Sequence, residues 1–354
     1  MPADSLDRSL QLYFDRRTAA GDPPGAAWCV GTAGEAGSRG FSGTASRETV
    51  FDLASLTKPL STALLAAMLE QDGALDLNAP LSEPFPESGA SPYGAATLLE
   101  LGAHQAGLPA WEPLYAMEQD GSRFPGRILA LPPAVKPGET LYSDLGYILL
   151  GHVLELVSGK DLGRLFDELV AAPAGLASLT YPGRAGIGSL AAPTEEGNRF
   201  EKDLAGRRGA GYPFREGMIQ GHDHDGKAWA MGGVAGHAGL FGNLDDVAAL
   251  AREILAPDRL PLGSRCRDRL LSPVSPGGRT FGFQPAFMNR AASSVLPDQA
   301  PGHTGFTGTS VWLDPDRGRY WVLLSNRVHP VAAGSGFQEV RRRFHRLSAE
   351  PIRE

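Results

Sequence analysis

Hydrophobic positions along this chain keep two rhythms, strand-like near both ends and helix-like between them. Leu6, Leu10 and Phe14 recur at i, i+4 and i+8 among charged residues, which predicts an amphipathic helix over residues 3–19. "GAAWCVGTA" and "GSRGFSGTA" follow as two short runs around a Gly-containing turn, the pattern of a hairpin. Residues 55–71 return to helical spacing, with Leu56, Leu60, Leu64, Ala67 and Met68 as the buried side. From about residue 75 the texture changes to short helical patterns, "ATLLELGAHQ", "SRFPGRILAL" and "SDLGYILLGHVLELVSG", joined by Pro- and Gly-rich loops. Residues 180–235 are mostly Gly, Pro and polar with little periodicity, and so long an irregular stretch in a compact protein usually serves function. "LDDVAALAREIL" is a clear helix with acids in its first turn. Strands then return in "TFGFQPAF", "GHTGFTGTSVWLDP" and "RYWVLLSNRV". The chain closes on a helix, "GFQEVRRRFHRL", whose basic run reads as a solvated face.

Strands with a helix at both ends, and helices with loops between, predict an α+β protein. Residues 1–74 and 236–354 would form one α/β domain, and residues 75–235 a mainly helical insertion. The 354 residues suffice for a sizeable core. A formal net charge of −7 weighs against a nucleic-acid or anionic-membrane partner. No apolar run approaches the roughly 20 residues that span a bilayer. The charged N-terminus lacks a basic region followed by an apolar core. A cytoplasmic site is therefore expected for the chain as written, and a periplasmic or extracellular one if a leader has been removed. The two cysteines, Cys29 in an apolar run and Cys266 among arginines, form neither a disulfide framework nor a metal cluster.

Three stretches carry candidate chemistry. In "SLTK", Ser55 and Lys58 stand three apart, so on a helix the hydroxyl and the ammonium share a face. A serine at the positive end of a helix, with a cation one turn away, has a route to activation and unpaired N–H groups suited to an oxyanion. An N-cap serine and a solvated lysine explain the same four residues. In "YSD", Tyr142 precedes an apolar helix pattern, and a tyrosine held by a nearby cation can act as base or acid; a packing tyrosine beside a helix cap is the plainer alternative. In "HTGFTGTS", the glycines let an acyl substrate approach an edge strand closely, though a Gly-rich strand need not bind anything.

Together, and in this order, the three motifs resemble those of the serine β-lactamase and penicillin-binding protein superfamily, most like class C β-lactamases and their esterase and D,D-peptidase relatives. "SLTK" matches the S-x-x-K motif, "YSD" the Tyr-x-Asn motif and "HTG" the Lys-Thr-Gly motif. "LLELGAHQAGLP" and "GGVAGHAGLFGNLDDVA" add supporting similarity, and the resemblance spans most of residues 25–330. It implies a β-lactamase/transpeptidase-like fold, an antiparallel sheet flanked by helices with a mainly helical insertion, and acyl transfer through a covalent ester on Ser55. Lys58 would relay a proton, and Tyr142 would act as base and then acid. The N–H groups of Ser55 and Phe306 would form the oxyanion hole, with Thr304 and Gly305 lining the strand that receives the acyl chain. No cofactor or metal is implied. "GHDHDG", with His222, Asp223, His224 and Asp225, invites a metal reading, but holding the long loop is the simpler role for His224 and Asp225. His237 either lines the cleft rim or fixes a loop. Trp111, Tyr115 and Trp229 either shape the acyl pocket or fill the core.

Two departures matter. Asp144 stands where class C enzymes place Asn, and His303 where they place Lys. An ionised Asp only accepts hydrogen bonds, and a histidine is cationic only when its pKa allows, which nearby Asp144 would favour. Weaker capture of anionic β-lactams and D-Ala-D-Ala ends is expected, with small neutral esters or amides handled better. A β-lactamase or D,D-carboxypeptidase is the second reading. A non-catalytic muropeptide sensor is a remote third, since a binder has no need of Ser55, Lys58 and Tyr142 together. Oligomeric state is not legible.

Overall fold

A computed structural model describes residues 3–35, 37–332 and 336–349. Eight strands are present among them: β1 (Gly25–Thr32), β2 (Ser38–Gly43), β3 (Phe51–Asp52), β4 (Phe241–Gly242), β5 (Gln284–Pro285), β6 (Pro301–Thr304), β7 (Ser310–Asp314) and β8 (Arg319–Ser325). Six of them form one sheet in the order β2-β1-β8-β7-β6-β5, with every neighbouring pair antiparallel. β3 and β4 pair separately. The sheet thus joins strands from both ends of the chain, and most helices lie in the sequence between them.

Alternation along the strands explains how both faces are covered. Ala27, Cys29, Val311, Leu313, Val322 and Leu324 face a large core that includes Leu64 to Leu69, Leu145 to Leu154 and Leu244 to Leu255. Their neighbours Trp28, Trp312, Trp321 and Leu323 face the opposite way, against Leu10 and Phe14 of the first helix and Val340 and Phe344 of the last. This is the antiparallel sheet flanked by helices that the resemblance implies, and the N-terminal hairpin pairs as expected, Trp28 opposite Gly40.

The stretch 55–71 departs from expectation. Its predicted buried residues are buried, yet the backbone is a 3₁₀ turn at Ala54–Leu56, a π turn at Lys58–Ala63 and an α-helix only from Leu64 to Gln71. Pro59 brings no N–H. The Thr57 hydroxyl accepts the N–H of Leu240 at 3.1 Å, and the Thr62 hydroxyl donates to the Gly236 carbonyl at 2.7 Å. Bonds to the 236–240 segment thus compete with a regular helical turn. "TFGFQPAF" also falls short of a full strand: only Gln284 and Pro285 pair with β6, and Gly282 at φ +109° and the missing N–H of Pro285 account for the break. The helices Arg199–Ala205 and Gly226–Ala230 within 180–235 are too short to show a period. Cys29 and Cys266 are both buried and free.

Candidate active site

Ser55 follows Ala54, which holds a φ of +48°, a left-handed conformation that an alanine adopts only under constraint. The constraints are identifiable. Asp52 accepts the Ala54 N–H at 2.8 Å and the His224 N–H at 2.8 Å. From the turn after β6, the hydroxyls of Thr307 and Thr309 donate to the carbonyls of Asp52 and Leu53 at 2.7 and 3.1 Å. Gly305 belongs to the same packing: a Cβ there would lie 2.6 Å from the Leu53 carbonyl and 2.0 Å from the Thr309 hydroxyl. The turn between β6 and β7 is therefore locked onto the residues that aim Ser55.

Lys58 is fully buried, and each of its three protons has an acceptor. Its Nζ lies 3.0 Å from Ser55 Oγ, 3.0 Å from the His237 carbonyl and 2.8 Å from Asp144 Oδ1. Burial opposes its charge, but Asp144 and Tyr142 outweigh burial and hold its pKa above the ordinary lysine value. Lys58 is thus a permanent cation that donates to Ser55. Tyr142 stands with its ring centroid 5.1 Å from this ammonium and packs on His104 at 4.6 Å. His104 accepts the Ser143 N–H at 3.0 Å, and Ser143 caps the helix Asp144–Ser158, so the segment 142–144 is held at both ends.

A second buried cation completes the network, one that sequence reasoning missed. Lys227 Nζ lies 3.2 Å from Asp144 Oδ2 and 3.4 Å from Asp225 Oδ2, with the Trp111 ring at 5.1 Å. Burial resists ionisation of Asp144, but Lys58 and Lys227 overcome it and depress its pKa. Burial likewise opposes the charge of Asp225, which Lys227 and His237 restore, leaving its pKa well below the carboxylate range. Asp144, Asp225 and His237 bring metal-ligand atoms within 4.8 Å of one another, yet two ammoniums already sit on these carboxylates.

Beside these groups opens a pocket of about 200 Å³, lined by Ser55, Tyr142, Asp144, Asp225, Glu201 and the apolar Trp111, Phe200, Leu204 and Phe306. Glu201 is buried, accepts the Gly226 N–H at 2.7 Å, and is pushed up to about 7 by burial first and by the charge of Asp225 second. Among the described residues no protein acceptor takes the N–H of Phe306.

The remaining candidate residues divide between the pocket and its supports, and the charge of His303 differs from expectation. His303 sits on β6 with its ring 5.8 Å from Tyr142. Burial first, then Lys58 and Arg279, lower its pKa to about 3, so it is neutral at physiological pH; the pull of Asp144 is too weak to charge it. His237 does not line the pocket; its ring is buried and bonds Asp225 at 3.0 Å, a loop-fixing role. His224 also ties the loop down, at 3.0 Å from Glu195 and stacked on Phe306 at 5.4 Å. Trp111 reaches the pocket. Tyr115 is core, packed on Tyr212 at 4.4 Å, and Trp229 lies under the guanidiniums of Arg184 and Arg215. The C-terminal basic run is not wholly solvated, because Arg341 is buried and donates to the Gly305 and Thr309 carbonyls at 2.7 and 2.9 Å.

The chain and its fold are similar to those of known proteins. The chain matches the family model described as Beta-lactamase over residues 10–342, and it belongs to that family. It is 32% identical over 313 residues to an Escherichia coli (strain K12) protein provisionally named a D-alanyl-D-alanine carboxypeptidase, covering 80% of this chain and 70% of that one. A beta-lactamase structure from Sulfitobacter sp. EE-36 superposes with a TM-score of 0.72 at 20% identity, covering 98% of each chain. A class C beta lactamase from Rhodobacter sphaeroides gives 0.69 at 20% identity, covering 97% of this chain and 98% of that one. Membership makes the protein a serine hydrolase of the β-lactamase and D,D-peptidase type, with a β-lactamase/transpeptidase-like fold. No helix among the described residues is long and apolar enough to cross a membrane.

Proposed function

We propose that the protein hydrolyses small neutral esters or amides through an acyl-enzyme on Ser55. The observation that carries this reading is the hydrogen bond from the buried, charge-paired Lys58 to Ser55 Oγ. An ammonium that donates to Oγ cannot take its proton, which leaves Tyr142 as the base. Tyr142 accepts the proton as Oγ attacks the acyl carbon, and the Lys58 charge offsets the negative charge that develops. The tetrahedral oxyanion is received by the N–H groups of Ser55 and Phe306. When it collapses, the bond to the leaving oxygen or nitrogen breaks and Tyr142 returns the proton to it. Water repeats the sequence on the Ser55 ester and releases the acid.

The surroundings of the pocket disfavour an anionic substrate. The neutral His303 supplies no cation at the strand, Lys58 and Lys227 are committed to Asp144 and Asp225, and Glu201 adds a further carboxylate to the pocket. An acyl group bearing its own carboxylate meets a pocket lined by Asp144, Asp225 and Glu201 and, among the described residues, by no lysine or arginine. Removal of a terminal D-alanine is the second reading, favoured by the name of the Escherichia coli relative. Hydrolysis rates of a p-nitrophenyl ester, a penicillin and a D-Ala-D-Ala peptide, with Ser55→Ala as control, separate them. The ester should turn over fastest, and rapid penicillin or peptide turnover would refute the preference for neutral substrates.

A further inference from the structure

We infer that Arg341 is a positioning residue for the oxyanion donor of Phe306, an inference that rests on the acyl-transfer reading above. The helix Phe337–Ser348 that carries Arg341 packs on the sheet face opposite the helices near Ser55, so its sequence gives no hint of the site. Its neighbours Val340 and Phe344 are ordinary core residues. Arg341 is not. Its guanidinium is buried among them, and both of its hydrogen bonds go to carbonyl oxygens, of Gly305 at 2.7 Å and of Thr309 at 2.9 Å. The Phe337 ring lies 5.1 Å from its centre. Burial first and the charge of Arg327 second work against its ionisation. A buried guanidinium compensated by carbonyls rather than a carboxylate is costly, and an apolar side chain would satisfy the layer with less penalty.

The Gly305 carbonyl gives it a use. That carbonyl and the N–H of Phe306 belong to one planar trans peptide, so they point in opposite directions. A cation fixed on the oxygen therefore fixes the direction of the N–H and polarises it as a donor. The same peptide abuts the Leu53 carbonyl and Ala54, immediately before Ser55. Phe306 lines the pocket with Ser55, and its N–H is taken by no protein acceptor among the described residues. The Thr309 carbonyl, which also accepts the Gly305 N–H at 2.8 Å, closes the turn from the other side. Arg341 thus holds two carbonyls whose relative placement sets the hole.

The test compares Arg341→Met, Arg341→Lys and His345→Phe in the full chain. His345 shares the helix and is buried with both ring nitrogens unpartnered. Two quantities are read: kcat/KM for a p-nitrophenyl ester, and the inhibition constant of a phenylboronic acid. Addition of Ser55 Oγ to the boron of the latter gives a tetrahedral anion in place of the oxyanion. Loss of an oxyanion donor costs about 10²–10³ in rate, so misdirecting one should cost roughly 10- to 100-fold in Arg341→Met. Boronate affinity should weaken in proportion while KM stays nearly constant. Arg341→Lys should recover part of both, and His345→Phe should change neither. A folded Arg341→Met with wild-type rate and boronate affinity would overturn the inference, as would a lost rate with boronate affinity intact. If Arg341→Met does not fold, Arg341→Lys decides alone, since its two losses must run in parallel. A wild-type chain with no ester turnover and no labelling of Ser55 overturns the acyl-transfer reading itself, a different result from either.

Discussion

Lys58 and Arg341 are both buried cations near the site, one on Ser55 itself and one on the turn packed against it, yet they are compensated in opposite ways. Lys58 shares its charge with Asp144, which leans in turn on Lys227 and through it on Asp225. Arg341 has carbonyl oxygens and the Phe337 ring, and no carboxylate partner among the described residues. The first arrangement sets the charge at the reacting hydroxyl, while the second sets the orientation of a peptide and leaves the reacting atoms' charge alone. Damage to the first should therefore be large and pH-dependent, and damage to the second smaller and visible mainly in the transition state.

The largest effect should come from Lys58→Met, which removes the cation beside both Ser55 and Tyr142. A fall in kcat/KM on the order of 10³–10⁴ is expected, because the charge that supports proton transfer by Tyr142 is lost together with the hydrogen bond to Ser55. Residual activity within tenfold of wild type would show that Lys58 is merely structural. Asp144→Asn comes next, because it leaves two buried ammoniums short of a partner. Breaking a buried pair costs about 3–5 kcal/mol, read by chemical denaturation at neutral pH. Asp144 has a depressed pKa, so its contribution is present above its ordinary value of 3.8 and lost as pH falls below it. The stability gap between wild type and variant should close in acid. A gap that stays constant into acid would break the charge half of the comparison. Arg341→Met should cost roughly 10- to 100-fold in rate and leave substrate binding alone.

The smallest effect falls on Glu201. Its pKa is raised from 4.5 to about 7, so the folded state holds its proton more tightly than the unfolded chain does. That stabilisation is complete below about pH 4.5 and is lost as pH rises through about 7. Glu201→Gln should become more stable relative to wild type across the same window. Anionic esters should gain a few-fold against neutral ones in the variant, and in wild type below pH 7, where the carboxyl is protonated. Identical substrate preference in both proteins, at acid and alkaline pH alike, would show that Glu201 does not set the charge of the pocket.

How much of this could be read from the chain depended on where each residue's partners lie. Ser55 and Lys58 are legible because a local spacing brings them together, and β1, β7 and β8 are legible as short, nearly continuous apolar runs because both sheet faces are covered. The geometry around Ser55 was not legible, since it is set by Thr57, Thr62, Thr307 and Thr309 bonding to distant backbone. Lys227 and Arg341 look like surface cations in "DGKAW" and "VRRRF", and only burial reveals them. For the same reason the charge state of His303 was misjudged: Asp144 is near enough to be invoked, but burial and two cations act more strongly. Glu201 lies on a helix, Arg199–Ala205, too short to announce itself by periodicity.

The most direct test of the central claim is intact-mass spectrometry of the full chain after incubation with a fluorophosphonate and, separately, with a penicillin, repeated on Ser55→Ala. One phosphonyl adduct located at Ser55, absent from the variant, with little penicilloyl adduct, is the predicted result. No adduct from either reagent, or equal labelling of Ser55→Ala, would contradict it.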